Sequence, residues 1–226
     1  LRYHASMTRM AILFLTTWLL GACSSAVHLM PTPTLFTNGD SGPFSAVPLV
    51  AQSTEIEVFY ATNRLPVGPA DSRHYTRVRS DQLRLGVATL RIGDERTTLA
   101  SLQAMSTSAA SGERPVLSLE SAREMAVLDA DRQSLTGDAQ AFLRCLDEAL
   151  KRSRTRELVI YVHGANTDFD RAAAQAAQFE HFMGRNAVVL VFAWPSAGTL
   201  LRYGRDVSTA RRSAPVFASL LELLAR

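Results

Sequence analysis

The chain has 226 residues, of which 47% are hydrophobic and 20% charged, with a net charge of +3. That length builds one good-sized domain with its own core, and the composition is far from a disordered one. Lys151 is the only lysine, and the arginines are offset by a similar number of acids. No basic tract carries interleaved aromatics, so nucleic-acid binding finds no support.

The sequence begins at Leu1, which places the expected start at Met7 or Met10. From Met7 it reads MTRMAILFLTTWLLGACSS: Arg9 forms a positive n-region, Ala11 to Leu20 an apolar core, and small residues follow. A bilayer span takes about 20 apolar residues, so this segment predicts a secretory signal over 1–22 and not a membrane anchor. Leu20-Gly21-Ala22-Cys23 resembles the lipobox of bacterial lipoproteins, which implies cleavage before Cys23 and acylation of its thiol. An ordinary cleaved signal with a chance cysteine is the alternative. Ser24 after the cysteine implies, by the same resemblance, the outer membrane on its periplasmic side. Cys145 is then left without a partner and is expected to be a buried helix residue.

Residues 23–53, rich in Ser, Pro, Thr and Gly, read as a lipidated cysteine and a flexible tether. Glu55 to Tyr60 alternates as a strand, and Leu83 to Ile92 is a second strand, with a loop expected between them. PVLSLE and MAVLDA are short strand candidates, and TLASLQAMSTSAA is a helix or a loop. From Asp138, apolar Ala139, Phe142, Leu143, Leu146 and Leu150 recur at helical spacing, and Lys151, Arg152 and Arg154 suit a helix C-terminus.

Leu158 to Val162 is a continuous apolar strand of the kind covered on both faces by helices. Thr167 and Asp170 resemble a capping box. Phe169, Ala172, Ala173, Ala176, Phe179 and Met183 form the expected buried stripe, and Gly184 a stop. Ala187 to Trp194 is a second buried strand, closed by Pro195. Strand, helix and strand predict a right-handed crossover in a parallel sheet. An amphipathic helix from about Ser208 to Ala225 follows. No internal repeat is found.

At the turn after Val162, backbone N–H groups converge at a helix N-terminus, which suits an oxyanion formed when a nucleophile attacks a carbonyl. The candidate loop is His163, Gly164, Ala165 and Asn166. Gly164 permits close approach, and the Ala165 and Asn166 amides are the expected donors. A plain tight turn is the alternative.

FYATNR at 59–64, VHGANTDF at 162–169, FAWPSAG at 192–198, and Tyr203, Asp206, Ser208 and Pro215 in YGRDVSTARRSAP together resemble a family of bacterial α/β-hydrolase-like proteins, often lipoproteins, of undefined substrate. The likeness runs over about 55–226 and is thin between 97 and 137. It departs at Ala165, where the family usually carries an aromatic residue. It implies an α/β fold with a mostly parallel, helix-flanked sheet. It also implies ester or amide hydrolysis by a serine nucleophile, without a cofactor, on a small ester or amide.

The nucleophile turn, the acid and the histidine of that machinery are not matched here, so the domain over 54–226 is expected to stop before the nucleophile strand. Ser196 follows the wrong strand, with Trp194 where a glycine should stand, and is assigned to structure or pocket lining. His163 is assigned to loop support rather than to general-base work. Trp194 is also a pocket candidate, and Tyr203 and Asp206 are candidates for the mouth of the pocket, with a solvated helix start as the alternative. His4, His28, His74 and His181, the last expected on a polar helix side, have no triad partners in the sequence. Asp168 and Asp170 fit a first helical turn better than a metal site, and no metal is expected. No glycine-rich nucleotide motif is present. Two readings stay beside the hydrolase: a non-catalytic envelope lipoprotein that binds a partner, and an inactive gene fragment.

Overall fold

The computed structural model describes residues 26–34, 53–108, 112–129, 136–197 and 203–226. Cys23, the signal segment and most of the expected tether lie outside them. Within the tether, however, β1 (Val27–His28) pairs antiparallel with Leu117 and Val116, and Leu29 is buried in the core. Val27, Leu29 and Met30 supply the apolar contacts that hold this stretch down.

β2 (Glu55–Val67) and β3 (His74–Ile92) form one long antiparallel hairpin, so the loop expected between them shrinks to 68–73. The turn is made by Gly68, at φ 87°, a conformation glycine adopts at no steric cost. α1 (Leu99–Thr107) starts at Thr98, which exchanges side-chain and backbone hydrogen bonds with Ser101. The two short strand candidates are one strand, β4 (Val116–Asp129), paired along β3.

α2 (Gly137–Arg152) is capped by Thr136 and buries Ala139, Phe142 and Leu146. Cys145 on this helix is half-buried, not fully buried. β5 (Leu158–Val162), α3 (Phe169–Phe182) and β6 (Val188–Ala193) follow as expected, with β5 and β6 adjacent and parallel. α3 is capped by Asp168, which accepts from the Arg171 amide at 2.9 Å, and not by Thr167. The Asp168 carboxylate also suits the positive helix start. α4 (Tyr203–Leu224) begins five residues earlier than the sequence suggests.

The strand order is β1-β4-β3-β2-β6-β5. The sheet is therefore mixed: β2, β6 and β5 run parallel, while β2, β3, β4 and β1 alternate. Tight connections such as 68–73 force antiparallel neighbours, whereas parallel ones need a crossover helix.

Alternation along β2 and β6 divides the core. Ile56, Val58, Tyr60, Val189 and Val191 pack under α3 with Phe169, Ala172, Ala173 and Ala176. Phe59, Ala61, Val188, Leu190 and Phe192 face α2 and α4 with Phe142, Leu146, Val216 and Leu220. The α3 stripe is narrower than expected. Phe179 is 44% exposed and stacks on Tyr161 of β5, because β5 has one strand neighbour among the described residues and no fully buried side chain.

Candidate active site

Three segments meet at the C-terminal ends of the parallel strands: the turn 163–167 after β5, the loop 194–197 after β6, and the first turns of α4. In open α/β sheets this end is where ligands bind. Asn166 sits at φ 57°, a left-handed conformation that asparagine tolerates better than most residues.

Asp206 ties the segments together. It is 1% exposed, and its carboxylate accepts from the Asn166 amide (3.0 Å), the Ser196 hydroxyl (2.6 Å) and the Ala197 amide (2.6 Å). Burial raises its pKa, but the hydrogen bonds from Ser196, Ala197 and Asn166 outweigh that and hold it below the usual carboxylate value. The Ser196 hydroxyl in turn accepts from the Thr167 amide at 3.2 Å.

The Asn166 amide, expected as an oxyanion donor, is therefore already spent on Asp206. Among the described residues, the Gly164 and Ala165 amides have no acceptor. Gly164 is exposed, and a Cβ built on it meets nothing within 4 Å. Among the described residues, therefore, nothing fills that side of the turn.

His163 is buried beneath the turn. Its Nδ1 lies 2.7 Å from the Gly164 carbonyl and its Nε2 lies 2.9 Å from the Trp194 carbonyl. Burial, assisted by the nearby Arg64 guanidinium, lowers its pKa to about 4 against the pull of those carbonyls. The neutral ring thus donates to one carbonyl and has no nitrogen turned toward a substrate. Trp194 stacks on it at 5.0 Å and returns a bond from Nε1 to the His163 carbonyl at 2.9 Å. Tyr203, by contrast, is 62% exposed at the start of α4.

The residue that sequence reasoning passed over is Arg64. It is fully buried, and its guanidinium donates to the carbonyls of Thr167 (2.8 Å), Trp194 (2.7 Å), Ala193 (3.2 Å) and Thr76 (3.3 Å). It thereby joins the turn after β5 to the loop after β6. Burial lowers its pKa to about 10, with Asp168 opposing that shift, and the side chain stays charged at neutral pH. Thr62 and Asn63 beside it are also buried, bonding to the Ala193 carbonyl (2.5 Å) and to Ser213 Oγ (3.0 Å). The signal was present in the sequence, since three consecutive polar residues extend an otherwise buried strand.

No activated serine is found among the described residues. Ser196 is buried and donates to Asp206, with no imidazole in hydrogen-bond contact. A Ser–His contact exists elsewhere, between Ser106 Oγ and His181 Nε2 at 2.7 Å. Both residues are buried, and the Ser106 hydroxyl donates to the Leu102 carbonyl, so the histidine is the donor to it. His181, expected on a polar helix side, is 1% exposed, because α1 and Arg185 cover that face of α3. The described residues contain no group of three or more His, Cys, Asp or Glu able to hold a metal.

A family described as alpha/beta hydrolase of unknown function (DUF900) matches residues 138–226, less than half of the chain. No curated protein and no solved structure matches. The matched part holds the turn after β5, the loop after β6 and Asp206, while the Arg64 segment precedes it. With its mixed, helix-flanked sheet, the chain has an α/β-hydrolase-like fold and is similar over 138–226 to that hydrolase family.

Proposed function

We propose that this protein is a lipid-anchored, α/β-hydrolase-like protein built for ester or amide hydrolysis through a serine nucleophile. The described residues supply its carbonyl-binding side. The observation that carries the reading is the open turn at Gly164 and Ala165, whose amides have no acceptor among the described residues while the next two amides, of Asn166 and Thr167, are committed to Asp206 and Ser196. In acyl transfer, a serine hydroxyl attacks the acyl carbon and the carbonyl oxygen takes up negative charge. Fixed N–H groups at a helix N-terminus stabilise that charge. In this reading Ser196 braces the turn and is not the nucleophile. The 226-residue chain should turn over p-nitrophenyl butyrate no faster than its His163→Ala variant. Turnover well above that control, with a covalent adduct on Ser196, would overturn the assignment.

The anchor rests on Leu20-Gly21-Ala22-Cys23 and Ser24, and the location that follows is the outer membrane facing the periplasm. Among the described residues no helix is long and apolar enough to cross a membrane. Cys23→Ser should move the protein from the membrane fraction to the soluble one, and a mutant that still pellets would remove lipidation as the anchor.

A second reading, partner binding through the sheet, is favoured by β5 alone: it is wholly apolar and half-exposed, with Val162 47% exposed. A sharp monomer in light scattering across a hundredfold range of concentration would count against it.

A further inference from the structure

A cleft of about 300 Å³ lies between β3 and α4, walled by Arg77, Arg79, Arg205 and Arg212 and floored by Pro195 and Ala197. The periodicities of the two elements put the charges there. Arg77 and Arg79 are two apart on a strand and share a face, while Arg205, Thr209 and Arg212 lie at i, i+4 and i+7 on one side of a helix. One carboxylate, Asp206, also lines the cleft. Its oxygens accept from the Asn166, Ser196 and Ala197 donors and form no ion pair with the four arginines, so its single negative charge offsets only one of their four positive charges.

The arginines are poorly compensated by others. Arg79 pairs with the exposed Asp81, and Arg77 reaches Asp168 only at 4.0 Å. Arg205 and Arg212 have no ion pair among the described residues. Four guanidinium groups facing one small space repel one another, and each presents planar N–H donors matched to phosphate oxygens. Thr209 adds little, since its hydroxyl donates to the Arg205 carbonyl at 2.9 Å.

We infer that this cleft is a binding site for a phosphate group, carried either by a soluble ester or by a lipid headgroup. The inference stands on the arginine geometry and does not require the hydrolase reading. The cleft shares Asp206 with the turn at 163–167, whose Asn166 amide donates to it.

The test is a thermal melt of the full chain against inorganic phosphate, with ionic strength held constant by chloride. A ligand that binds only the folded state stabilises it in proportion to ln(1 + L/Kd), with L the free ligand concentration, so Tm keeps rising with the logarithm of ligand concentration above Kd. The wild type should show this logarithmic rise in Tm. The Arg205→Gln/Arg212→Gln double variant, altered at two exposed positions, should fold with an unchanged circular dichroism spectrum and lose that rise. An equal rise in the variant, or no rise in the wild type, overturns the site. Co-sedimentation with phosphatidylcholine vesicles containing or lacking phosphatidylglycerol separates the sources. Capture by the anionic vesicles that the double variant loses assigns the headgroup, and no capture beside an intact phosphate shift assigns the soluble ester.

Discussion

Replacing Arg64 by methionine removes the guanidinium while keeping most of the apolar stem. Four carbonyls, those of Thr76, Thr167, Ala193 and Trp194, then lose a charged donor in a buried setting. At about 1.5–3 kcal/mol per charge-assisted bond the gross loss is large, but such bonds are not additive. The variant is also relieved of burying a cation, which offsets several kcal/mol. A net loss of about 3–5 kcal/mol is expected, as for other broken buried charge networks. A domain of this kind has about 5–15 kcal/mol in all, so the variant should fold but be marginal. With a urea slope of about 2 kcal/mol/M, the midpoint should fall by about 2 M. Arg64→Lys should recover only part of this, because a compact ammonium with three donors cannot span four carbonyls spread over β3, the end of β6 and the two loops. A midpoint within about 0.3 M of wild type for the methionine variant would refute the view that Arg64 holds the turn after β5 to the loop after β6.

Other perturbations separate the remaining parts of the account. At Gly86 an added Cβ would overlap the Arg123 carbonyl and the Tyr60 ring, so Gly86→Ala should cost about 3 kcal/mol or more in a denaturation experiment. A loss under about 0.5 kcal/mol would mean the strands can part there. Burial pushes the Glu180 carboxyl up to about 8, against the Arg185 guanidinium and the Val189 amide. The folded protein then holds a proton that the unfolded chain has released at its ordinary value of 4.5. Stability should accordingly fall as pH rises between these values, and Glu180→Gln should raise Tm more at about pH 9 than at about pH 5. Equal gains at both would dismiss the buried acid. Asp206→Asn replaces an acceptor by a donor facing three donors and should lose about 1.5–3 kcal/mol at neutral pH. Because the folded pKa is depressed, that difference should shrink as pH drops below the ordinary carboxylate value of 3.8. A difference that stays constant into acid would show that the charge of Asp206 is not what matters.

Where helical or strand periodicity was strong, the elements from 137 to 193 could be read to within a few residues, because local pattern and tertiary burial agree there. The long β2–β3 hairpin was not legible. Its distal half, residues 61–67 and 74–82, is polar and arginine-rich, and it stays extended through cross-strand pairing that only the folded sheet supplies. In the sequence β4 looks like two pieces because its apolar positions slip face where the register shifts at Leu85/Gly86 and Thr89/Leu90. The spacing of Phe179 predicts a core position, but spacing cannot say that β5 covers it on only one side. At the site, His163, Trp194, Ser196 and Asp206 were named from motifs, and the structure brings them into one hydrogen-bonded unit. The commitment of the Asn166 amide to Asp206 spans 40 residues, and the Arg64 bond to the Thr167 carbonyl spans 103, distances over which sequence pattern carries no information.

The central claim is that the Gly164 and Ala165 amides receive the oxygen of an acyl group. An amide-resolved NMR titration with a neutral trifluoromethyl ketone, whose hydrate mimics the tetrahedral intermediate and is indifferent to the arginine cleft, tests it most directly. The account predicts saturable shifts of the Gly164 and Ala165 resonances that Gly164→Val abolishes, with the rest of the spectrum unchanged. Resonances of the two amides that stay fixed up to the solubility limit of the ketone would contradict it.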